Sequence, residues 1–361
     1  MNEKKKKKLI LTGGGTAGHV TPHLALIPRL RERGYEIVYI GSYDGIEKRL
    51  IADFDVPYYG ISTGKLRRYF DPQNFSDPFR VLKGCREAFS ILRKEKPDLI
   101  FSKGGFVSVP VIRAGALLRI PSILHESDMT PGLANRLCIP VAKTVCCNFP
   151  ETLSHMPADK AVLTGTPIRE ELRKGNAADG RALCGFKDDK PVLMIIGGSS
   201  GAQAINEVVR QALPKLLPEF NVVHICGKEK MDNLMLTIDG YKQFEYVKNE
   251  LKDLFAMADV VVSRAGANAI CELLALKKPN VLIPLSLRSS RGDQILNAQS
   301  FEQQGFSVVI DNDELDDAIL IEKIHEVYND RETYIDTMSR SSQHEATETI
   351  LSLIDKAMEK A

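Results

Sequence analysis

Three glycine-rich runs are the first residues able to do chemistry. They are Gly13-Gly14-Gly15-Thr16-Ala17-Gly18-His19, Ser102-Lys103-Gly104-Gly105-Phe106 and Gly197-Gly198-Ser199-Ser200-Gly201-Ala202. Each follows a short apolar, β-branched run and precedes a helical pattern. Glycines let the backbone approach a ligand closely, and the helix that follows offers unpaired N–H groups and the positive end of its dipole to an anion. Three such turns point to a phosphate-bearing substrate. His19 and His23 lie four apart after the first turn, where the spacing predicts one face of a starting helix. A helix dipole would hold His19 neutral and able to accept a proton. The bland reading makes it a capping or packing histidine, and His23 fits that reading better. A metal pair would need a third ligand, and no H-E-x-x-H pattern is present.

Gly13, Gly15 and Gly18 also satisfy G-x-G-x-x-G, the dinucleotide fingerprint. A nicotinamide enzyme needs an acidic residue at the end of the second strand, about 20 residues on. Here that strand runs into Gly41-Ser42, and Asp44 comes late. In the second half, Ser263-Arg264-Ala265-Gly266-Ala267-Asn268 follows a strand and opens a helix that contains Glu272. A carboxylate there can accept hydrogen bonds from two sugar hydroxyls; alternatively it is a first-turn Glu that stabilises its own helix. The polar stretch from Pro284 to Asp293-Gln294, followed by Asn297, completes a second candidate set. The D-x-D triplets at Asp53–Asp55 and Asp311–Asp313 read as solvated surface, so no metal is required.

These residues need a scaffold that brings strand ends together. Leu9–Thr12, Ile37–Ile40, Leu99–Ser102, Ser122–Leu124 and Thr144–Cys147 read as strands of one unit. Val192–Ile196, Asn221–Ile225, Asp259–Ser263, Asn280–Ile283 and Ser307–Ile310 read as strands of another. Continuous apolar strands separated by helices are the mark of parallel sheets covered on both faces. The expected fold is therefore α/β: two Rossmann-like, doubly wound domains facing a cleft, with the joint near Thr164–Arg173. The expected division is 1–166 together with an amphipathic C-terminal helix in 343–361, and 167–342.

Composition bounds the partners. The 361 residues carry 48 Lys+Arg against 47 Asp+Glu, which argues against a nucleic-acid binder working by bulk charge. Segment 64–96 is different, with nine Lys/Arg against four acids and Leu66, Tyr69, Phe70, Phe75, Phe79 and Phe89 interleaved. That mixture suits an anionic membrane surface, at about 1 kcal/mol per nearby cation; the alternative is a solvated helix packed on its own sheet. The run Asp311–Asp330 has eight acids and only Lys323. Seven cysteines without a C-x-x-C pair read as reduced core residues of a cytosolic protein. The Lys4–Lys8 run lacks the apolar core of a signal peptide, and no stretch reaches the roughly 20 clean apolar residues of a spanning helix.

Taken together, the motifs are similar to those of one family. The runs Gly14–Pro22, Ser102–Ser108, His125–Asn135, Thr164–Arg169, Gly197–Ala202, Ser263–Glu272 and Asp293–Ala298, in this order, resemble the MurG family. These are the bacterial peptidoglycan N-acetylglucosaminyltransferases that convert lipid I into lipid II. The resemblance implies a GT-B fold and inverting transfer of GlcNAc from UDP-GlcNAc to the MurNAc 4-hydroxyl of lipid I. It also implies no cofactor, a peripheral place on the cytoplasmic membrane face, and other cell-wall synthesis enzymes as partners. Carried over by position, Thr16, Ala17 and Gly18 would meet the donor's sugar and diphosphate, with Asp128 nearby. Arg169 and Ser199 would lie by the diphosphate, Val247 by the uracil, and Ala267, Asn268 and Ala269 by the nucleoside. Glu272 would hold the ribose and Gln294 the GlcNAc hydroxyls. Gly14, Gly15, Gly104 and Gly105 would serve the acceptor, and Phe75, Phe79 and Arg80 the membrane. His19 would be the base, or would orient the acceptor's pyrophosphate. The sequence departs from the family pattern at Asp128, Asp293 and Ser200, where many members have Asn, Gln and Gln.

Two further readings fit part of the pattern. A nicotinamide-dependent oxidoreductase explains the first glycine run but not the second-half set. A non-catalytic nucleotide-sugar sensor keeps the binding residues without turnover.

Overall fold

The computed structural model describes residues 6–64, 77–198, 202–287 and 292–359. The chain divides into two compact units, residues 1–169 with 345–361, and residues 170–344.

The first unit is built on seven strands: β1 (Lys8–Thr12), β2 (Glu36–Ser42), β3 (Tyr58–Ile61), β4 (Leu99–Ser102), β5 (Ser122–Glu126), β6 (Thr144–Cys147) and β7 (Ala161–Leu163). Their order is β3-β2-β1-β4-β5-β6-β7, and every pairing is parallel. The two-residue period of a strand explains why the central ones are apolar throughout. Leu9, Leu11, Ile37, Tyr39, Leu99 and Phe101 point to one face, where they pack with α1 (Thr21–Glu32) and α13 (Ala346–Glu359). Ile10, Val38, Ile40 and Ile100 point to the other, under α3 (Asp77–Glu95) and α4 (Ser108–Leu117). Helix α13 buries Ile350, Leu351, Ile354, Ala357 and Met358, a single 3.6-period stripe. Its outer side is tied by Arg29 and Arg33 to Glu348, at 2.6 and 2.9 Å, and by Tyr35 to Asp355 at 2.6 Å.

The second unit has β8 (Val192–Ile196), β9 (Asn221–Ile225), β10 (Tyr241–Phe244), β11 (Val260–Ser263), β12 (Asn280–Leu282) and β13 (Val308–Val309). They form a parallel sheet in the order β10-β9-β8-β11-β12-β13. Helices α7 (Gln203–Leu216) and α11 (Asp317–Asn329) cover one face. The acidic run is surface, as expected, and within it the Asp316 side chain caps α11 by accepting Ile319 N–H at 2.8 Å.

All ten expected strands are present. Three more, β3, β7 and β10, escape the sequence pattern, and all three are sheet edges or near-edges with one side only partly covered. Their Tyr58-Tyr59-Gly60-Ile61 and Tyr241-Lys242-Gln243-Phe244 lack the continuous aliphatic run that double coverage demands. Strand order reverses between β1 and β4 in one sheet and between β8 and β11 in the other. Doubly wound sheets bind ligands beyond the carboxyl ends of the strands flanking such a reversal. The glycine-rich turns after β1 and β4, and Gly197-Gly198 after β8, lie at those points. Among the described residues, no helix is long and apolar enough to cross a membrane. All seven cysteines are free, and six are buried.

Candidate active site

In the first unit the turns after β1 and β4 lie against each other. Gly105 has φ +83°, and a Cβ there would come within 2.3 Å of the Gly14 carbonyl oxygen. A Cβ on Gly13 would meet the His19 carbonyl at 2.8 Å, the His23 ring at 3.1 Å and the Lys103 side chain at 3.3 Å. Glycine is therefore what lets the two backbone turns and the His23 and Lys103 side chains share this space. Gly105→Ala is expected to destabilise the unit by at least about 1–3 kcal/mol from its backbone conformation alone. Gly132→Ala is the control: its φ is −64° and no atom would lie near its Cβ, so its denaturant midpoint should hardly move.

His19 does not sit in the helix. It closes a short 3₁₀ turn, Ala17–His19, and α1 begins only at Thr21. The expected shared helical face with His23 is corrected accordingly. His19 Nδ1 lies 3.0 Å from the Gly14 carbonyl oxygen and 3.2 Å from Thr16 Oγ1. A carbonyl can only accept, so Nδ1 carries the proton and Nε2 keeps its lone pair. Burial lowers the imidazole's proton affinity, Lys103 lowers it further, and the Gly14 carbonyl and Glu47 oppose both. His23 is fully buried, hydrogen-bonded to Tyr39 Oη at 3.2 Å and edge-on to Tyr39 and Phe101, a packing histidine.

Two buried charges flank this turn, and neither was singled out from the sequence. Glu47, on α2 (Ile46–Ala52), accepts Gly15 N–H at 3.2 Å and Ser42 N–H at 2.9 Å. Lys103 donates to His125 Nδ1 at 2.7 Å and Ser127 Oγ at 2.9 Å, while His125 Nε2–H donates to the Gly165 carbonyl at 2.8 Å. Burial, then the Lys103 charge, hold His125 well below the usual imidazole range. A charged residue directly after a buried strand and before two glycines was the one available signal for Lys103. Nothing in the spacing marked Glu47. Gly15, Glu47, Ser62, Thr63, Arg80 and Phe106 help to line a cavity of about 520 Å³ beside the turn.

The remaining first-unit candidates differ in exposure, with Gly104 buried, Arg169 half-buried and Asp128 exposed. Gly104 has φ +85° and packs its backbone near the Asn135 amide. Asp128 is exposed, its N–H donating to Glu126 Oε1 at 3.0 Å and its carbonyl accepting the Thr152 hydroxyl at 3.1 Å. Arg169 is the last residue of the first unit. Phe75 lies outside the described residues, as do the side chains of Ala17 and Phe79; Arg80 is exposed on α3.

In the second unit, the loops after β11 and β12 are laced together. Arg264 donates to the carbonyls of Ile283 and Pro284 at 2.9 and 3.1 Å and to Asn312 Oδ1 at 2.7 Å. Asn297, on α10 (Asp293–Gln303), donates to the Ala265 carbonyl at 3.1 Å. Gln294, on the same helix, accepts Leu285 N–H at 3.2 Å. These bonds hold α10 to the loops after β11 and β12, the first of which leads into α9 (Ala267–Ala275). Ala267, Asn268 and Ala269 form its first turn and are half-buried. Glu272 is the sixth helical residue, beyond the first turn, which removes the helix-start reading for it. Val247 is half-buried in the loop between β10 and α8 (Leu251–Met257). Ser199 and Ser200 lie outside the described residues.

Among solved structures, the chain is similar to Acinetobacter baumannii MurG, at 27% identity and a TM-score of 0.78, covering 97% of this chain and 99% of that one. Two parallel-sheet units with these loops make the protein a GT-B glycosyltransferase. Residues 9–147 match the glycosyltransferase family 28 N-terminal domain, and residues 192–353 match the family 28 C-terminal domain. A relative from Lachnoclostridium phytofermentans is 59% identical over 97% of this chain and 99% of its own length. One from Lachnospira eligens is 57% identical over 96% and 98%. Both are named UDP-N-acetylglucosamine–N-acetylmuramyl-(pentapeptide) pyrophosphoryl-undecaprenol N-acetylglucosamine transferase. The chain belongs to glycosyltransferase family 28, and within it to this group of N-acetylglucosamine transferases.

Proposed function

We infer that the protein transfers GlcNAc from UDP-GlcNAc to the 4-hydroxyl of MurNAc in lipid I, giving lipid II and UDP in peptidoglycan synthesis. The observation that carries the chemistry is the His19 ring, whose Nδ1–H is committed to the Gly14 carbonyl and whose Nε2 retains its lone pair. The acceptor hydroxyl attacks the anomeric carbon as its proton passes to Nε2 and UDP departs with the glycosidic electron pair. A positioned base contributes roughly 10²–10⁴-fold to such a step. In this reading residues 1–166 and the last helix, 343–361, hold the acceptor and residues 167–342 hold the donor. Gly14, Gly15, Gly104 and Gly105 line the acceptor's path. Thr16, Ala17 and Gly18 meet the sugar and diphosphate, and Arg169 and Ser199 stabilise the leaving diphosphate. Asp128, a carboxylate where many relatives have Asn, contacts the donor's sugar through a hydroxyl. Val247 packs on the uracil, and Ala267, Asn268 and Ala269 offer backbone N–H groups to the nucleotide. Glu272 holds the ribose and Gln294 the GlcNAc hydroxyls, for which it must release Leu285.

The reaction predicts UDP release that depends strictly on lipid I. A coupled UDP assay should show turnover with UDP-GlcNAc and acceptor, and only background with either alone. Equal UDP release without acceptor would contradict the transferase reading.

The acceptor is a membrane lipid, so the enzyme works as a peripheral protein on the cytoplasmic membrane face, within reach of other cell-wall synthesis enzymes. Phe75, Phe79 and Arg80 contact the anionic surface in this reading. They are joined by Leu82 on α3 and Leu117 at the end of α4, 53% and 78% exposed on helices that pack together. Arg80→Glu with Leu82→Ser and Leu117→Ser should reduce co-sedimentation with phosphatidylglycerol vesicles at least about tenfold, given about 1 kcal/mol per cation and the lost apolar contact. Unchanged sedimentation would assign the membrane contact to another surface.

A further inference from the structure

The peptide unit that joins Gly14 to Gly15 is engaged at both ends. Its carbonyl accepts His19 Nδ1–H at 3.0 Å, and its N–H donates to Glu47 Oε2 at 3.2 Å. The other carboxylate oxygen accepts the Ser42 N–H and the Ser42 hydroxyl. Glu47 is fully buried, in a slot that three glycines leave open. A Cβ on Gly14, Gly41 or Gly45 would come within 2.5, 2.8 or 2.2 Å of Glu47 atoms. Burying a carboxylate is costly even when it is hydrogen-bonded, and a glycine-lined slot is an unusual way to house one. Its three donors orient it so that one oxygen faces the peptide that holds the imidazole.

We propose that Glu47 is a positioning residue for His19, acting through the Gly14–Gly15 peptide as the charged end of a carboxylate–peptide–imidazole relay. This rests on the reading of His19 as the base. A carboxylate accepting from an amide N–H polarises that amide and makes its carbonyl a stronger acceptor. The Gly14 oxygen then holds the Nδ1–H tautomer firmly. When Nε2 takes the acceptor's hydroxyl proton, the same oxygen faces the positive ring. The O–H bond breaks and the hydroxyl oxygen bonds to the anomeric carbon as that carbon's bond to UDP breaks with its electron pair going to the diphosphate, and the proton ends on Nε2. The groups that face the ring from packed elements are Glu47 of α2, Lys103 beyond β4, the neutral His23 of α1 and the Thr16 hydroxyl of its own turn. The ring therefore lies under one anion and one opposing cation.

Glu47→Gln in the full chain keeps an oxygen able to accept Gly15 N–H but removes the charge. It should lower kcat about tenfold, a part of what a general base supplies, with KM for UDP-GlcNAc within about twofold. The acid limb of the pH–rate profile and the His19 imidazole titration, followed by NMR, should both move to lower pH. Ser42→Ala takes a donor from the carboxylate, concentrates its charge on Oε2, and should move the titration the opposite way. In a His19→Ala background, Glu47→Gln should change kcat by less than about twofold, because coupled residues are not additive. A His19 titration unmoved in folded Glu47→Gln, or a full additive loss without His19, would overturn the relay. If Glu47→Gln fails to fold, the Ser42→Ala titration decides: an upward shift supports the relay and none refutes it. Full turnover by His19→Ala would sink the base reading instead, with the NMR shift still reporting whether the relay exists.

Discussion

His19→Ala should lower kcat by about 10²–10⁴-fold while leaving the affinity for UDP within about twofold. The asymmetry follows from geometry. The ring meets the Gly14 carbonyl and the Thr16 hydroxyl through Nδ1, so Nε2 is the ring nitrogen left with a lone pair to take the proton of the reacting hydroxyl. Removing a base costs the transition state and spares the ground state. The pH profile carries a second signature. Burial and the Lys103 charge hold the ring below its ordinary value of about 6.5, so the neutral, active form persists to lower pH than a free imidazole would allow. The acid limb of kcat/KM should therefore fall below pH 6.5. An unchanged kcat would remove His19 from proton transfer and leave it the role of orienting the pyrophosphate.

The second large effect belongs to the other unit. Glu272→Ala should weaken UDP and UDP-GlcNAc binding together, by about 10–10²-fold, the loss expected for hydrogen bonds to a charged group at about 1.5–3 kcal/mol each. Glu272 is past the first turn of α9, so its loss barely touches the helix dipole. Parallel losses for UDP and UDP-GlcNAc place the carboxylate on the nucleoside. A loss for UDP-GlcNAc alone would place it on the sugar, and equal affinities would take it out of the donor site. Calorimetric titration of both ligands separates these outcomes.

The framework of this protein was legible because parallel sheets force apolar residues onto both faces of their inner strands. Leu9-Ile10-Leu11 and Val192–Ile196 could hardly be anything else. Two of the edges, Tyr58–Ile61 and Tyr241–Phe244, were not legible, since they are only partly covered and carry mixed side chains. The glycine turns announced themselves through composition, but their tight fit did not: nothing in the order of residues says that Gly105 abuts the Gly14 carbonyl. His19 was found on the expectation of a place inside a helix, whereas it closes a 3₁₀ turn ahead of α1, where burial and Lys103 lower its proton affinity. Lys103 and the contact of Glu47 with Gly15 stayed hidden because the partners are 22 and 32 residues apart along the chain, a distance that no local spacing rule spans. Buried charges declare themselves only once the fold has closed around them.

The most direct test of the account is the stereochemistry of the product. UDP-GlcNAc labelled in its sugar is incubated with the enzyme and lipid I, and the isolated lipid is examined by mass spectrometry and by the NMR coupling of the new anomeric proton. One sugar added per UDP released, joined through a β bond to the MurNAc 4-hydroxyl, is the result expected of in-line attack assisted by a single base. Free GlcNAc with no lipid-linked disaccharide, or an α-linked product, would contradict it.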